Sequence, residues 1–296
     1  MPEPVRSLRD RLANHGIDRV LWLLLPAAAL IGMLFVYPFV YGLGLSVQPN
    51  EGAPVIGNYV RFFADDFERS TIWKTLALAI PAAVINVGIS IPIAYKMRGP
   101  VRHKRLITAL LVMPATLGTV LVAEGLIRYF GPIGWFNQLM LVIGIVDRPL
   151  QLTHNYIGVM ASLIITGLPL SLLLVIGHAS GIDPDLERAA ATLGAGPSER
   201  FRRVLLPLML PGITIAFVLA FVAAFSVFPS AVMVGNPSGE TRVISIAAYQ
   251  AAFERFDFPM ASAIAMVMAV VQFAIVAFVF LLRGRLYRGS TSGAKG

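Results

Sequence analysis

The sequence predicts an all-α integral membrane protein with six crossings, on three observations: its composition, the number of its long apolar runs, and the placement of its basic residues. Of 296 residues 57% are hydrophobic and 14% charged, with a mean hydropathy of +0.75. A soluble domain carries about a quarter charged residues, so there is too little polar surface here to cover a soluble globule. One helical crossing takes about 20 apolar residues, and the length therefore allows six or seven crossings with short connections. The absence of cysteine excludes a disulfide framework, a thiolate nucleophile and a cysteine-type zinc site. The net charge of +8 would suggest nucleic acid in a soluble protein, but in a membrane protein the distribution of charge among the loops decides.

Long apolar runs with few charges cover about Val20–Val47, Ile72–Tyr95, Leu106–Tyr129, Asn155–Gly177, Pro211–Val234 and Pro259–Leu282. Six spans put both termini on one side. That side holds 17 of the 24 basic residues: four before Val20, five from Lys96 to Arg105, four from Arg188 to Arg203 and four after Leu282. The positive-inside bias then places both termini in the cytoplasm of a cell inner membrane. The organisation expected is a tail over 1–19, a transmembrane region over 20–282 with a cytoplasmic connection at 178–210, and a second tail over 283–296. The first run follows a basic tail, as a secretory signal does, but it is long and lacks a clear cleavage site, so it reads as a retained helix. Pro26, Pro38, Pro81, Pro92, Pro114 and Pro169 lie inside spans and predict kinks. Alanines recur in the last two spans, at 216, 220, 223 and 224 and at 261, 263, 265 and 269, where they permit close helix contact.

The connection from Gly181 to Pro207 reads as two short helices. Asp183 can cap the first, Pro184 fits its first turn, Asp185 and Glu187 suit the positive end of its dipole, and Gly194 is placed to end it. Ser198 is a candidate cap for the second. Leu186, Ala189, Ala190 and Leu193 fall at helical spacing and form a small apolar ridge flanked by charge. Such a ridge outside the membrane either enters a groove on a partner or packs on the ends of the protein's own helices.

Ala189-Ala190, three residues, Gly194, nine residues, then Val204 and Leu206-Pro207 resembles the EAA loop of type I ABC-importer permeases. Arg188 stands where that pattern has its glutamate, and Glu187 lies one place earlier. The resemblance extends to Leu25-Pro26 with Tyr37-Pro38, to Arg105 with Met113-Pro114, and to the stretch from Asp257 to Ala263. It implies the MetI-like permease fold, with Asp185, Leu186, Glu187, Arg188, Ala189, Ala190, Leu193, Gly194, Ala195 and Pro207 forming a coupling loop that enters an ATPase subunit. It further implies two ABC ATPase subunits, a second permease subunit that is either a different chain or another copy of this one, and a periplasmic or lipid-anchored solute-binding protein on the outer loops. The stretches from Asp257 to Met268 and from Gly235 to Thr241 resemble permeases for polyamines, ferric iron and phosphonates. The stretch from Tyr249 to Phe253 is similar to sugar permeases.

The sequence has no Gly-x-x-x-x-Gly-Lys-Ser/Thr loop, so no cofactor is expected on this chain, and ATP and Mg are expected on a separate ATPase. The chain is therefore read as a transport subunit and not an enzyme, with lipid and proteins as its partners and no nucleic acid. Glu124 is the acidic residue inside a predicted span, a candidate for recognising a cationic solute. Arg128 stands at i+4, where it can instead hold Glu124 in a structural pair. Asn86 with Ser90, and Ser226 with Ser230, are candidate pathway residues, though small polar groups also join membrane helices. His15, His103, His154 and His178 show no metal-ligand spacing, and no metal site is expected. Two other classes are weighed beside the importer: an ion-coupled secondary transporter using Glu124, and an intramembrane enzyme, for which no placed nucleophile is visible.

Overall fold

The computed structural model describes residues 19–48, 54–99 and 102–286. Most of the amino-terminal tail, including His15, and the carboxyl tail beyond Leu286 lie outside these residues. Among the described residues, six helices are long and apolar enough to cross a membrane, and no strand occurs. The spans are α1 (Leu24–Ser46), α3 (Asp66–Arg98), α4 (Lys104–Phe130), α6 (Tyr156–Ser180), α8 (Pro197–Phe225) and α11 (Phe258–Leu286). Shorter helices lie between them: α2 (Gly57–Ala64), α5 (Trp135–Val142), α7 (Pro184–Thr192), α9 (Pro229–Met233) and α10 (Ile244–Tyr249).

At the centre α3, α6 and α8 pack on one another. With 33 residues, α3 is about 50 Å long at 1.5 Å per residue. Asp65 starts it by accepting from the Phe67 and Glu68 amides at 2.8 and 3.4 Å. Its buried positions, among them Thr71, Thr75, Leu78, Ala82, Asn86 and Ala94, recur every three or four residues as one stripe. On α8 the facing stripe is small: Gly212, Ala216, Ala220 and Ala224 are buried, which lets the backbones approach closely. A Cβ at Gly212 would meet the His178 ring of α6 at 2.3 Å. Outside this trio α4 packs on α6, while α1 packs on α11 and is itself almost wholly exposed.

Three of the expected details come out differently. The fifth crossing, expected over Pro211–Val234, begins at Pro197 and ends at Phe225. Pro229 has no amide proton and disfavours helical geometry at Phe228, so the chain leaves the helix at Ser226 and restarts as α9. The expected second helix of the connection is the water-exposed start of α8 itself. Gly196, making no side-chain bond, stands at its N-cap position, so Ser198 lies inside the helix and is not the cap. Two prolines follow wide turns: the Tyr37 amide, just before Pro38, donates to Gly32, and the Leu206 amide, just before Pro207, donates to Phe201. Each π-turn widens the helix at the point where the proline ring would crowd the preceding turn.

Candidate functional site

Two features stand out, α7 at one end of the bundle and a chamber within it. The local chemistry of α7 is complete. The Asp183 carboxylate accepts from the Asp185 amide at 2.9 Å, Pro184 occupies the first turn, and Asp185 and Glu187 sit at the positive end of the dipole. At the other end Gly194 adopts φ +86°. Its amide donates to Ala191 at 3.0 Å and the Ala195 amide to Ala190 at 3.1 Å, a Schellman closure that a left-handed glycine permits.

The helix presents two faces. Leu186, Ala189 and Leu193 are exposed, Leu193 at 88%, so among the described residues the ridge packs on none of the protein's own helices. Ala190 and Glu187 turn toward the bundle, and Ala190 thus leaves the exposed ridge. The Glu187 carboxylate receives the Arg98 guanidinium at 3.1 Å. Arg188 points away and pairs with Asp185 at 2.6 Å. Ala195, where α7 joins α8, and Pro207, inside α8, are half-buried.

The chamber holds about 200 Å³ between α4, α6, α8 and α9. Two helix breaks converge on it. One is the gap at Ser226–Phe228, and the other is Gly118 of α4, whose φ of +73° and ψ of 166° interrupt that helix just before the chamber residue Thr119. Non-helical backbone at membrane depth persists where it lines a cavity or is covered by protein. The polar wall consists of hydroxyls: Thr119, Thr166, Ser226 and Ser230, with Ser230 bonded to Ser162 at 2.7 Å. The rest is apolar, from Gly167, Ala220, Ala223 and Ala224 to the larger Leu163, Leu170 and Phe228.

The structure thus brings Ser226 and Ser230 to the chamber, although they belong to two helices and not to one helical turn. Asn86 and Ser90 lie elsewhere, buried between α3 and α6, where Asn86 donates to the Leu163 carbonyl at 3.2 Å and Ser90 to the Asn86 carbonyl at 2.7 Å. Glu124 is paired with Arg128 at 2.8 Å and does not line the chamber.

Sequence reading missed two charged clamps, one at each end of α3. At the α7 end, Arg98 also donates to the Ile182 carbonyl at 2.7 Å. At the opposite end, Glu68 accepts from Arg242 at 3.0 and 3.1 Å and from Arg255 at 3.2 Å. Arg242 bonds Gln250 at 3.1 Å and lies 4.2 Å from the Phe67 ring centre. The partners are 89 and 174 residues apart in sequence, and the available signal was only that Arg98 closes a long helix while Arg242 lies in a loop with few basic residues.

Residues 84–289 match the family described as binding-protein-dependent transport system inner membrane component. The chain belongs to that family. The trehalose transport system permease protein SugA of Mycobacterium tuberculosis is 28% identical over 266 residues, covering 88% of this chain and 86% of the relative. The spermidine/putrescine permease PotB of Haemophilus influenzae is 28% identical over 182 residues, covering 61% and 63%. The sulfoquinovosyl glycerol permease SmoH of Agrobacterium fabrum is 26% identical over 284 residues, covering 95% and 90%. Among solved structures, a bacterial alginate ABC transporter in complex with an alginate-bound periplasmic protein contains a chain with a TM-score of 0.80 at 20% identity, covering 95% of this chain and 99% of that one. A chain of the MetNI methionine ABC transporter gives a TM-score of 0.60 at 16% identity, covering 75% and 97%. The fold is that of ABC-transporter permeases, and the chain is a multi-pass inner-membrane permease of the ABC-importer class.

Proposed function

We propose that this permease is one half of the membrane channel of an ABC importer, joined to a second, different permease chain and driven by two separate ATPase subunits that carry ATP and Mg. The observation that carries this reading is the ridge of Leu186, Ala189 and Leu193, exposed on a helix otherwise capped and charged for water. An apolar strip of that size on a polar helix fits a groove in a partner. The face bearing α7 is the cytoplasmic one, with both termini on it, and the opposite loops receive a periplasmic or lipid-anchored solute-binding protein. The chamber, at the two helix breaks, is where the solute passes.

Between the polyamine-like and sugar-like solutes that the sequence suggests, the chamber wall favours the sugar. Its polar side chains are hydroxyls and, among the described residues, no carboxylate lines it, whereas a polycation needs anionic partners. The carboxylate of Glu124 is already engaged by Arg128. The test is uptake of labelled trehalose and labelled spermidine into proteoliposomes holding the complete complex, its binding protein outside and ATP with Mg inside. The expected result is ATP-dependent uptake of trehalose that survives collapse of ion gradients. Uptake of spermidine alone would overturn the solute class, and uptake that follows an ion gradient without ATP would overturn the importer.

A further inference from the structure

We propose that Arg98 is the positioning residue that fixes the coupling helix to α3, so that α7 and α3 move as one body; this rests on the reading of α7 as the ATPase contact. Arg98 is the last residue of α3, and its side chain is only 9% exposed. One nitrogen meets the Glu187 carboxylate at 3.1 Å and another the Ile182 carbonyl at 2.7 Å. The guanidinium therefore grips both the chain entering α7 and its first turn. Among the described residues, the other side-chain hydrogen bonds of α7 close within the helix: Asp183 to the Asp185 amide, Arg188 to Asp185, and Thr192 to the Ala189 carbonyl. Arg98 is thus the side-chain tie between α7 and the bundle. One turn earlier on α3, the Tyr95 ring packs on Phe201 at 4.9 Å between centres, so the last turn of α3 touches both arms of the connection.

The same geometry accounts for the glutamate that stands one place early. One residue along a helix is a rotation of about 100°. That rotation carries the carboxylate of Glu187 off the outward surface and onto Arg98, while Arg188 takes the outward position. A planar guanidinium that bridges two acceptors fixes orientation as well as distance, which a hinge of water-exposed backbone would not do.

The chain lacks cysteine, so spin labels can be placed at Lys96→Cys on α3 and Ala191→Cys on the side of α7 away from the ridge. The label distance is measured in the assembled complex, without nucleotide and after trapping with ATP, Mg and vanadate. In the otherwise native chain the distance stays the same in both states. With Arg98→Ala the ATPase still co-purifies in native amount, but the distance shifts and broadens on trapping, and ATP hydrolysis no longer responds to the loaded binding protein. Arg98→Lys restores the fixed distance. A clamp that merely stabilised the fold would lower the yield of complex without making the distance depend on nucleotide. If Arg98→Ala and native complexes show the same distances in both states, the proposal falls and the docking of α7 stands. If no ATPase accompanies the native chain, both fall.

Discussion

The two ends of α3 solve the same problem in different ways. At the end away from α7, Glu68 and Arg242 are 3% and 1% exposed and the pair is surrounded by Arg255, Gln250 and the Phe67 ring. At the α7 end, Glu187 is 24% exposed and Arg98 holds it from one side. A fully desolvated pair is held by the cost of leaving either charge alone, whereas a pair that water can reach is cheaper to break and remake. The buried clamp therefore suits a part that stays closed, and the wetter one holds α7 to α3 in one orientation at a smaller cost in stability. Lys74 reinforces the closed end by donating to the Gly239 carbonyl at 3.0 Å, and Ile244 donates to Thr75 at 2.8 Å, tying the loop before α10 to α3.

The contrast is broken most directly by Glu68→Ala. It strands the Arg242 charge in the core and is expected to destabilise the protein by roughly 3–5 kcal/mol, read as a large drop in thermal unfolding temperature in detergent. The close packing of α8 on α6 comes next in expected effect. Gly212→Ala drives a methyl group into the His178 ring, costing about 1–3 kcal/mol with a correspondingly smaller drop. Arg98→Ala is expected to cost about 1–2 kcal/mol in the same assay, leaving a folded protein that assembles but responds poorly to its binding protein. A stability loss as large as that of Glu68→Ala would erase the distinction between the two ends. Glu124→Gln belongs to neither end. Its pair with Arg128 is exposed at 42% and 80%, so a change of roughly 0.3–0.5 kcal/mol and unaltered uptake are expected.

The local features were legible because their causes are local. Asp183, Pro184 and Gly194 mark the ends of α7 with chemistry that acts within a few residues, and the six apolar runs are as long as a bilayer demands. The end of the fifth crossing was misread because residues 226–234 remain apolar while the backbone leaves the helix, and hydropathy does not register geometry. Its start was misread because the charged turn around Glu199 and Arg203, an i,i+4 pair at 3.1 Å, is the wet extension of a membrane helix. Ser226 and Ser230 stand out in the sequence by their spacing, yet both line the chamber because the helix breaks between them. The clamps of Arg98 and Glu68 left no periodic trace, since each joins segments that only the fold brings together.

The most direct test of the account is to purify the tagged chain from its native membrane and identify what accompanies it, beside a variant carrying Ala189→Glu and Leu193→Glu. Both positions are exposed, so the variant folds. The account predicts that an ATPase subunit accompanies the native chain and is lost from the variant while the second permease is retained. An ATPase retained by the variant, or a native chain that transports with no ATPase bound, would contradict it.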